Sequence, residues 1–123
     1  MPISGAAIES LFDYEMMSRG FTVSAPRSDT SPYDRVVDTR VKMYKVQVKA
    51  RRAYGKKSFI VKIAKSNEQA YTSKEVDIIA LYIEDNNSWY IFPISECNKV
   101  IRINLKGGVK ERYRNNWKIF ETV

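Results

Sequence analysis

Apolar positions recur at helical spacing near the start of the chain and at strand spacing through most of its remaining length. Ile8, Leu11, Phe12 and Met16 define one face of a helix predicted over residues 4–19. Ser4 stands where an N-cap is wanted, Gly20 where the chain leaves the helix, and Arg19 is favourable in the last turn. Glu9 falls at the border of the apolar face, on the same side as Asp13. Glu15 lies nearer the middle of the stripe, where the pattern gives no reason for an acid.

From Phe21 the period changes to two. Residues 21–24 read as a short strand ended by Pro26, and residues 27–32 as a polar loop with turn chemistry. Residues 33–38 and 41–50 read as two strands joined at Asp38-Thr39-Arg40. Residues 58–63 return as a strand with Phe59, Val61 and Ile63 on one face. Residues 65–74 are polar and hold at most one helical turn. The most apolar run, residues 76–83, predicts a central buried strand. Its Asp77 is expected to cap it or bond neighbouring backbone. A turn at Asp85-Asn86-Asn87-Ser88 pairs that run with residues 89–92, which Pro93 stops. Residues 94–97 read as a loop or short helix, residues 100–105 as an outer strand, and Gly107-Gly108 as a turn. Residues 109–120 are expected to form a closing helix, with Tyr113, Trp117 and Phe120 as its apolar contacts and Lys110, Arg112, Arg114 and Lys118 opposite. The order predicts one α/β domain over residues 1–123, a mixed sheet flanked by helices.

Polar residues interrupt two of these strands. Asp34 heads the first. Gln47 and Lys49 sit two apart on the second and share a face, while Val46 and Val48 point to the other. An acid, an amide oxygen and an ammonium on one hairpin suit a hard divalent ion and a phosphodiester. They equally suit a half-exposed strand with a turn acid at its head, and the spacing alone leaves both readings open.

Composition narrows the choice. The chain carries 21 Lys and Arg against 14 Asp and Glu, a net charge of +7, which points to a polyanionic partner, nucleic acid before membrane surface. The densest basic stretch is Arg51, Arg52, Lys56 and Lys57 around Tyr54 and Gly55, suited to a phosphate backbone with Tyr54 against a base. There is no histidine, and Cys97 is the single cysteine. Ser-His-Asp and Cys-His catalysis, histidine metal sites, cysteine zinc sites and an internal disulfide are thereby excluded. No apolar run reaches spanning length and no signal peptide is visible, so an intracellular protein without a membrane partner is expected.

Glu9 on the first helix, Asp34 at the hairpin and Gln47-Val48-Lys49 resemble the ordered motif of the PD-(D/E)XK nuclease superfamily. Gly5-Ala6-Ala7-Ile8-Glu9, Gly20-Phe21, the loop bearing Ser28, Asp34 and Lys49 are similar to archaeal Holliday junction resolvases. Val76-Asp77-Ile78-Ile79-Ala80 with Trp89-Tyr90-Ile91-Phe92-Pro93-Ile94 is similar to small phage and cyanobacterial members, an intron homing endonuclease among them. The resemblance covers about residues 5–94. Two positions depart from the motif. Tyr33 replaces the usual proline, which carries no chemistry, and Gln47 replaces the second acid, as homing-type members also have it.

The resemblance implies a restriction-endonuclease-like α/β/α core and a phage- or prokaryote-type endonuclease cutting double-stranded DNA. It implies Mg²⁺, with Mn²⁺ as substitute, held by Asp34, Gln47 and the Val48 carbonyl. Glu9 would hold a second ion or its water shell, and Lys49 would orient the attacking water. Arg27, Ser28, Arg51, Arg52, Tyr54, Lys56 and Lys57 are the expected DNA contacts. A homodimer or higher assembly is expected, with interface residues on a sheet edge or at Trp117 and Phe120. A homing-type enzyme is the first reading, with base contacts from the hairpin of residues 51–57. A resolvase acting on branched DNA and an inactive DNA-binding module on the same fold stand beside it.

Overall fold

The computed structural model describes residues 3–121. One α-helix, α1 (Gly5–Met17), precedes seven strands: β1 (Thr22–Ser24), β2 (Arg35–Asp38), β3 (Met43–Arg51), β4 (Ser58–Lys62), β5 (Ile78–Ile83), β6 (Ser88–Pro93) and β7 (Val100–Asn104). Short 3₁₀ turns stand at Ile94–Glu96, Val109–Tyr113 and Trp117–Phe120.

Helix α1 starts where the sequence places it. The Ser4 hydroxyl accepts the Ala7 N–H at 3.1 Å. At the other end Gly20 takes φ 84°, and the Phe21 N–H returns to the Met16 carbonyl at 3.2 Å. The helix buries Ile8, Phe12 and Met16, one residue per turn. Leu11, expected on that face, is 38% exposed, because a helix lying on a sheet buries a narrower stripe than the sequence face suggests. The unexplained Glu15 bonds Arg19 at 3.0 Å, and that guanidinium lies over the Trp117 ring, 4.6 Å from its centroid.

Five strands form a mixed sheet in the order β1-β2-β3-β5-β6. β3 pairs antiparallel with β2 and parallel with β5, and β5 pairs antiparallel with β6. Strict alternation in β5 and β6 serves two cores. Ile78, Ala80, Trp89 and Ile91 pack with Ile8, Phe12, Met16, Val46 and Val48 under α1. Ile79, Leu81, Ile83, Tyr90 and Phe92 pack on the opposite face with Val61, Ile63, Ile101 and Ile103.

That opposite face differs from the expected flanking helix. It is covered by a second sheet, in which β4 pairs antiparallel with β7. The closing helix over residues 109–120 is also absent; two 3₁₀ turns stand there. Asn115 separates them at φ 49°, a left-handed conformation that asparagine tolerates, and its polar groups are drawn to β6. The Asn115 N–H donates to the Trp89 carbonyl at 2.6 Å, and its side-chain oxygen accepts the Trp89 N–H at 3.0 Å. Arg114 donates to the Ser88 hydroxyl at 2.8 Å, and its backbone bridges to Tyr90. Tyr113 enters one core, and Trp117 and Phe120 enter the other. With Trp117 at 9% and Phe120 at 1% exposure, neither offers the interface expected of it. No helix among the described residues is long and apolar enough to cross a membrane.

Candidate active site

A mismatch in strand length opens the site. β2 begins at Arg35 opposite Val46, whereas β3 continues to Arg51. Beyond Val46, β3 has β5 on one side and no β2 residue on the other. Asp34 stands at that step. Its N–H donates to the Val46 carbonyl at 2.9 Å, and its Oδ2 accepts the Val48 N–H at 2.8 Å. The carboxylate thus replaces the missing ladder partner. A strand residue sends its N–H and C=O to the same side, so the Val48 carbonyl faces the same opening.

Asp34, Gln47, Val48 and Lys49 line one cleft of about 280 Å³ together with Ile8, Glu9 and Arg51. Glu9 arrives from α1, over the step. Burial holds the Lys49 ammonium below its ordinary pKa, helped by the neighbouring Arg51 and opposed by Asp34. A second cleft, about 350 Å³, adjoins the other side of Asp34 and is bordered by Glu9, Ser28, Asp29, Ser31 and Tyr33.

Arg35 ties the helix to this step. Its guanidinium donates to both Asp13 carboxylate oxygens at 2.8 and 3.2 Å, to Glu9 Oε1 at 3.2 Å, and to the Asp34 carbonyl at 2.8 Å. The Asp13 hydrogen bond and the surrounding carboxylates raise its pKa further, against burial. Glu9 therefore shares its charge with an arginine that was not expected at the site. Glu9 and Asp13 lie one turn apart on one side of the helix, a pairing the sequence shows, whereas the strand that this side meets is visible only in the structure.

Tyr71 was also missed. It lies on the segment between β4 and β5 and packs against the core under the β4–β7 sheet. Burial raises its phenol pKa, with Asp34 and Glu75 adding to the shift, so a neutral O–H donor stands within the electrostatic reach of Asp34. Its segment has no period, so the sequence gives no sign of it.

The expected DNA contacts divide. Ser28 bonds Thr30 at 2.6 Å in the cleft beside Asp34, whereas Arg27 is exposed and borders neither cleft. Arg51 lines the main cleft and donates to the Ala50 carbonyl at 2.7 Å. Arg52 and Tyr54 border a separate hollow with Glu84 and Asp85, and Arg52 pairs with Glu84 at 3.4 Å. Tyr54, 78% exposed, Lys56 and Lys57 lie on the turn between β3 and β4, which is not the expected hairpin, since the two strands belong to different sheets.

The donor set can be tested against a hard cation. Asp34, Gln47, the Val48 carbonyl and Glu9 offer oxygen alone, the chemistry Mg²⁺ prefers. Among the described residues no three His, Cys, Asp or Glu side chains gather as ligands. Gln47 supplies an oxygen without a charge. The set fits an ion that keeps much of its water, as Mg²⁺ does.

A family model described as PD-(D/E)XK endonuclease matches residues 5–120. Among solved structures, a bacterial homing endonuclease superposes with a TM-score of 0.78 at 20% identity, covering 97% of this chain and 91% of that one. The Holliday junction resolvase of Archaeoglobus fulgidus superposes with a TM-score of 0.65 at 14% identity, covering 97% of each chain. At these identities the likeness is one of fold. No curated protein sequence matches the chain.

Proposed function

The chain belongs to the PD-(D/E)XK endonuclease family, and from that premise we propose that it is a metal-dependent endodeoxyribonuclease of the homing type, cutting double-stranded DNA at specific sites. The observation that carries this reading is the meeting of Asp34, Gln47, Val48, Lys49 and Glu9 on one cleft.

Mg²⁺, or Mn²⁺ in its place, would be held by Asp34, Gln47 and the Val48 carbonyl with Glu9 on its water shell, and would supply the Lewis acidity that activates water and offsets phosphoryl charge. The protein's own groups do the rest. The Val48 N–H fixes one Asp34 oxygen and leaves the carboxylate aimed along the step. Lys49, whose lowered pKa leaves more of it neutral than an ordinary lysine, is more often free to take the proton of the attacking water, and as an ammonium it orients that water and balances charge on a phosphate oxygen. Arg35 holds Glu9 and the Asp34 backbone in register. Lys56, Lys57 and Tyr54 on the turn between β3 and β4 meet the DNA backbone.

The homing-type reading is supported by the glutamine at position 47 and by the likeness to the bacterial homing endonuclease fold. A domain of this size reaches about one half-site, so cutting both strands calls for two copies.

The test is cleavage of supercoiled plasmid and of a synthetic four-way junction, with Mg²⁺, with EDTA, and with Lys49→Ala and Asp34→Asn. Discrete duplex fragments that need Mg²⁺, Lys49 and Asp34 are expected. Junction-only cutting would make the protein a resolvase. Cutting by either variant at the parent rate would overturn the site assignment. DNA binding that no metal converts to cleavage would leave a binding module.

A further inference from the structure

The β4–β7 sheet is a two-stranded ribbon laid over the main sheet, and its two faces differ in kind. Val61, Ile101 and Ile103 point inward and are buried. The outward face consists of three cross-strand pairs: Ser58 with Asn104, Ile60 with Arg102, and Lys62 with Val100. All six residues are exposed, and Ile60 and Val100 keep 55% and 50% of their surface in water. The six include two cations and no acid. Arg102 donates to the Ser58 hydroxyl at 3.3 Å, and Glu68 reaches Lys62 at one end at 2.6 Å. Lys57, Lys99 and Lys106 flank the strand ends. Each exposed aliphatic side chain stands directly across from a cation, Ile60 from Arg102 and Val100 from Lys62, so the face is mixed apolar and cationic.

We propose that this outward face enters the major groove of duplex DNA and reads bases there, while the β3–β4 connection, residues 52–57, contacts phosphates. The inference rests on the nuclease reading for its ligand and adds where sequence is read. Size allows it: strands about 4.8 Å apart, with their side chains, fit a groove about 12 Å wide. Spacing allows it too. Successive outward pairs stand about 6.8 Å apart along a strand, close to two base-pair steps of about 3.4 Å, so three pairs span about five base pairs. The residue types are those that discriminate bases. An arginine matches the acceptor edge of guanine, an asparagine the donor–acceptor edge of adenine, a serine hydroxyl serves either, and aliphatic groups meet the thymine methyl. Net charge favours a polyanion at this face, and the six side chains supply discrimination that phosphate contacts lack.

The experiment selects from a pool of labelled 40-base-pair duplexes with a randomised core of about 20 base pairs, a length that spans several footprints. Binding is done in EDTA with the full chain, with Arg102→Ala/Asn104→Ala, and with Lys56→Ala/Lys57→Ala. The parent is expected to enrich a motif. The ribbon variant loses base preference within it, and discrimination between the selected duplex and a scrambled one falls about tenfold or more. The Lys56→Ala/Lys57→Ala variant binds every duplex more weakly, with a shallower salt dependence, and enriches the parent motif. Unchanged thermal unfolding shows both variants folded. A ribbon variant that discriminates as well as the parent overturns the proposal, as does a parent that binds the pool and enriches nothing. Adding Mg²⁺ separates the two readings. Cleavage without base preference removes the ribbon and keeps the nuclease, base preference without cleavage does the reverse, and a parent that binds no duplex removes both.

Discussion

Replacing Arg35 with alanine tests the step on which the site is built. The substitution strands two carboxylates, Asp13 and Glu9, and removes a donor from the Asp34 carbonyl. The arginine side chain is 15% exposed, Asp13 26% and Glu9 33%, so the cluster is neither fully buried nor solvated. Breaking a buried pair costs about 3–5 kcal/mol and an exposed one about 0–1 kcal/mol. Because both carboxylates still reach water, about 2 kcal/mol is expected here. For a domain of this length that lowers Tm by about 8 °C. Urea unfolding of the parent, Arg35→Ala, Asp13→Ala and the double variant closes a cycle, whose coupling should be about 1–2 kcal/mol. Arg35→Lys should recover only part of the loss, since an ammonium cannot grip Asp13 through two parallel donors. An Arg35→Ala protein within about 0.5 kcal/mol of the parent, or a cycle without coupling, would refute the claim that this guanidinium fastens α1 to β2.

Three further outcomes are expected. Lys49 gives up its proton in the folded chain below the ordinary value of 10.5, so between the two values the unfolded chain binds more protons and stability rises with pH. Lys49→Met should flatten that rise in denaturant midpoints measured from pH 7 upward, be at least as stable as the parent at pH 7, and cut no DNA; a midpoint well below the parent's at pH 7 would contradict this. Gly20→Ala should cost about 1 kcal/mol in urea unfolding, since Gly20 holds φ +84° and a Cβ there meets nothing within 4 Å, leaving only the conformational penalty. Burial, with Glu96 adding, pushes the half-buried Cys97 thiol up to about 12, so at pH 8 a disulfide reagent should modify the native chain far more slowly than the unfolded one; equal rates would contradict this.

The site was more legible than the layer covering it. Asp34, Gln47 and Lys49 stand out as polar residues on apolar strands, and two-residue spacing puts Gln47 and Lys49 on one face, but that pattern equally suits a half-exposed strand, and it was the family resemblance that singled them out as candidates. Asp77 was expected to cap or bond backbone, and its Oδ2 accepts the Lys45 N–H at 2.8 Å. Arg35 escaped because its partners come from a distant helix, and charge alone does not say which carboxylate it meets. β4 and β7 were each legible as alternating strands, yet nothing in their pattern says that they leave the main sheet to pair with each other. That choice depends on which inner face finds Ile79, Leu81 and Ile83 already in place. The closing helix was misread because Tyr113, Trp117 and Phe120 recur near helical spacing, while what decides the backbone is the hold of Asn115 on Trp89.

That hold has a consequence for life in a crowded cell. β6 is the last strand of its sheet, and Trp89, Tyr90, Ile91 and Phe92 would make it a ready template for aggregation through intermolecular β-pairing. The segment from Arg114 to Asn115 lies along it and takes both polar groups of Trp89. The opposite margin needs less protection, since β1 has three residues and Pro26 comes soon after. Arg114 and Asn115, between the 3₁₀ turns, thus guard that edge, and a chain cut short at Gly108 would expose the template and be expected to form inclusion bodies rather than a less stable monomer.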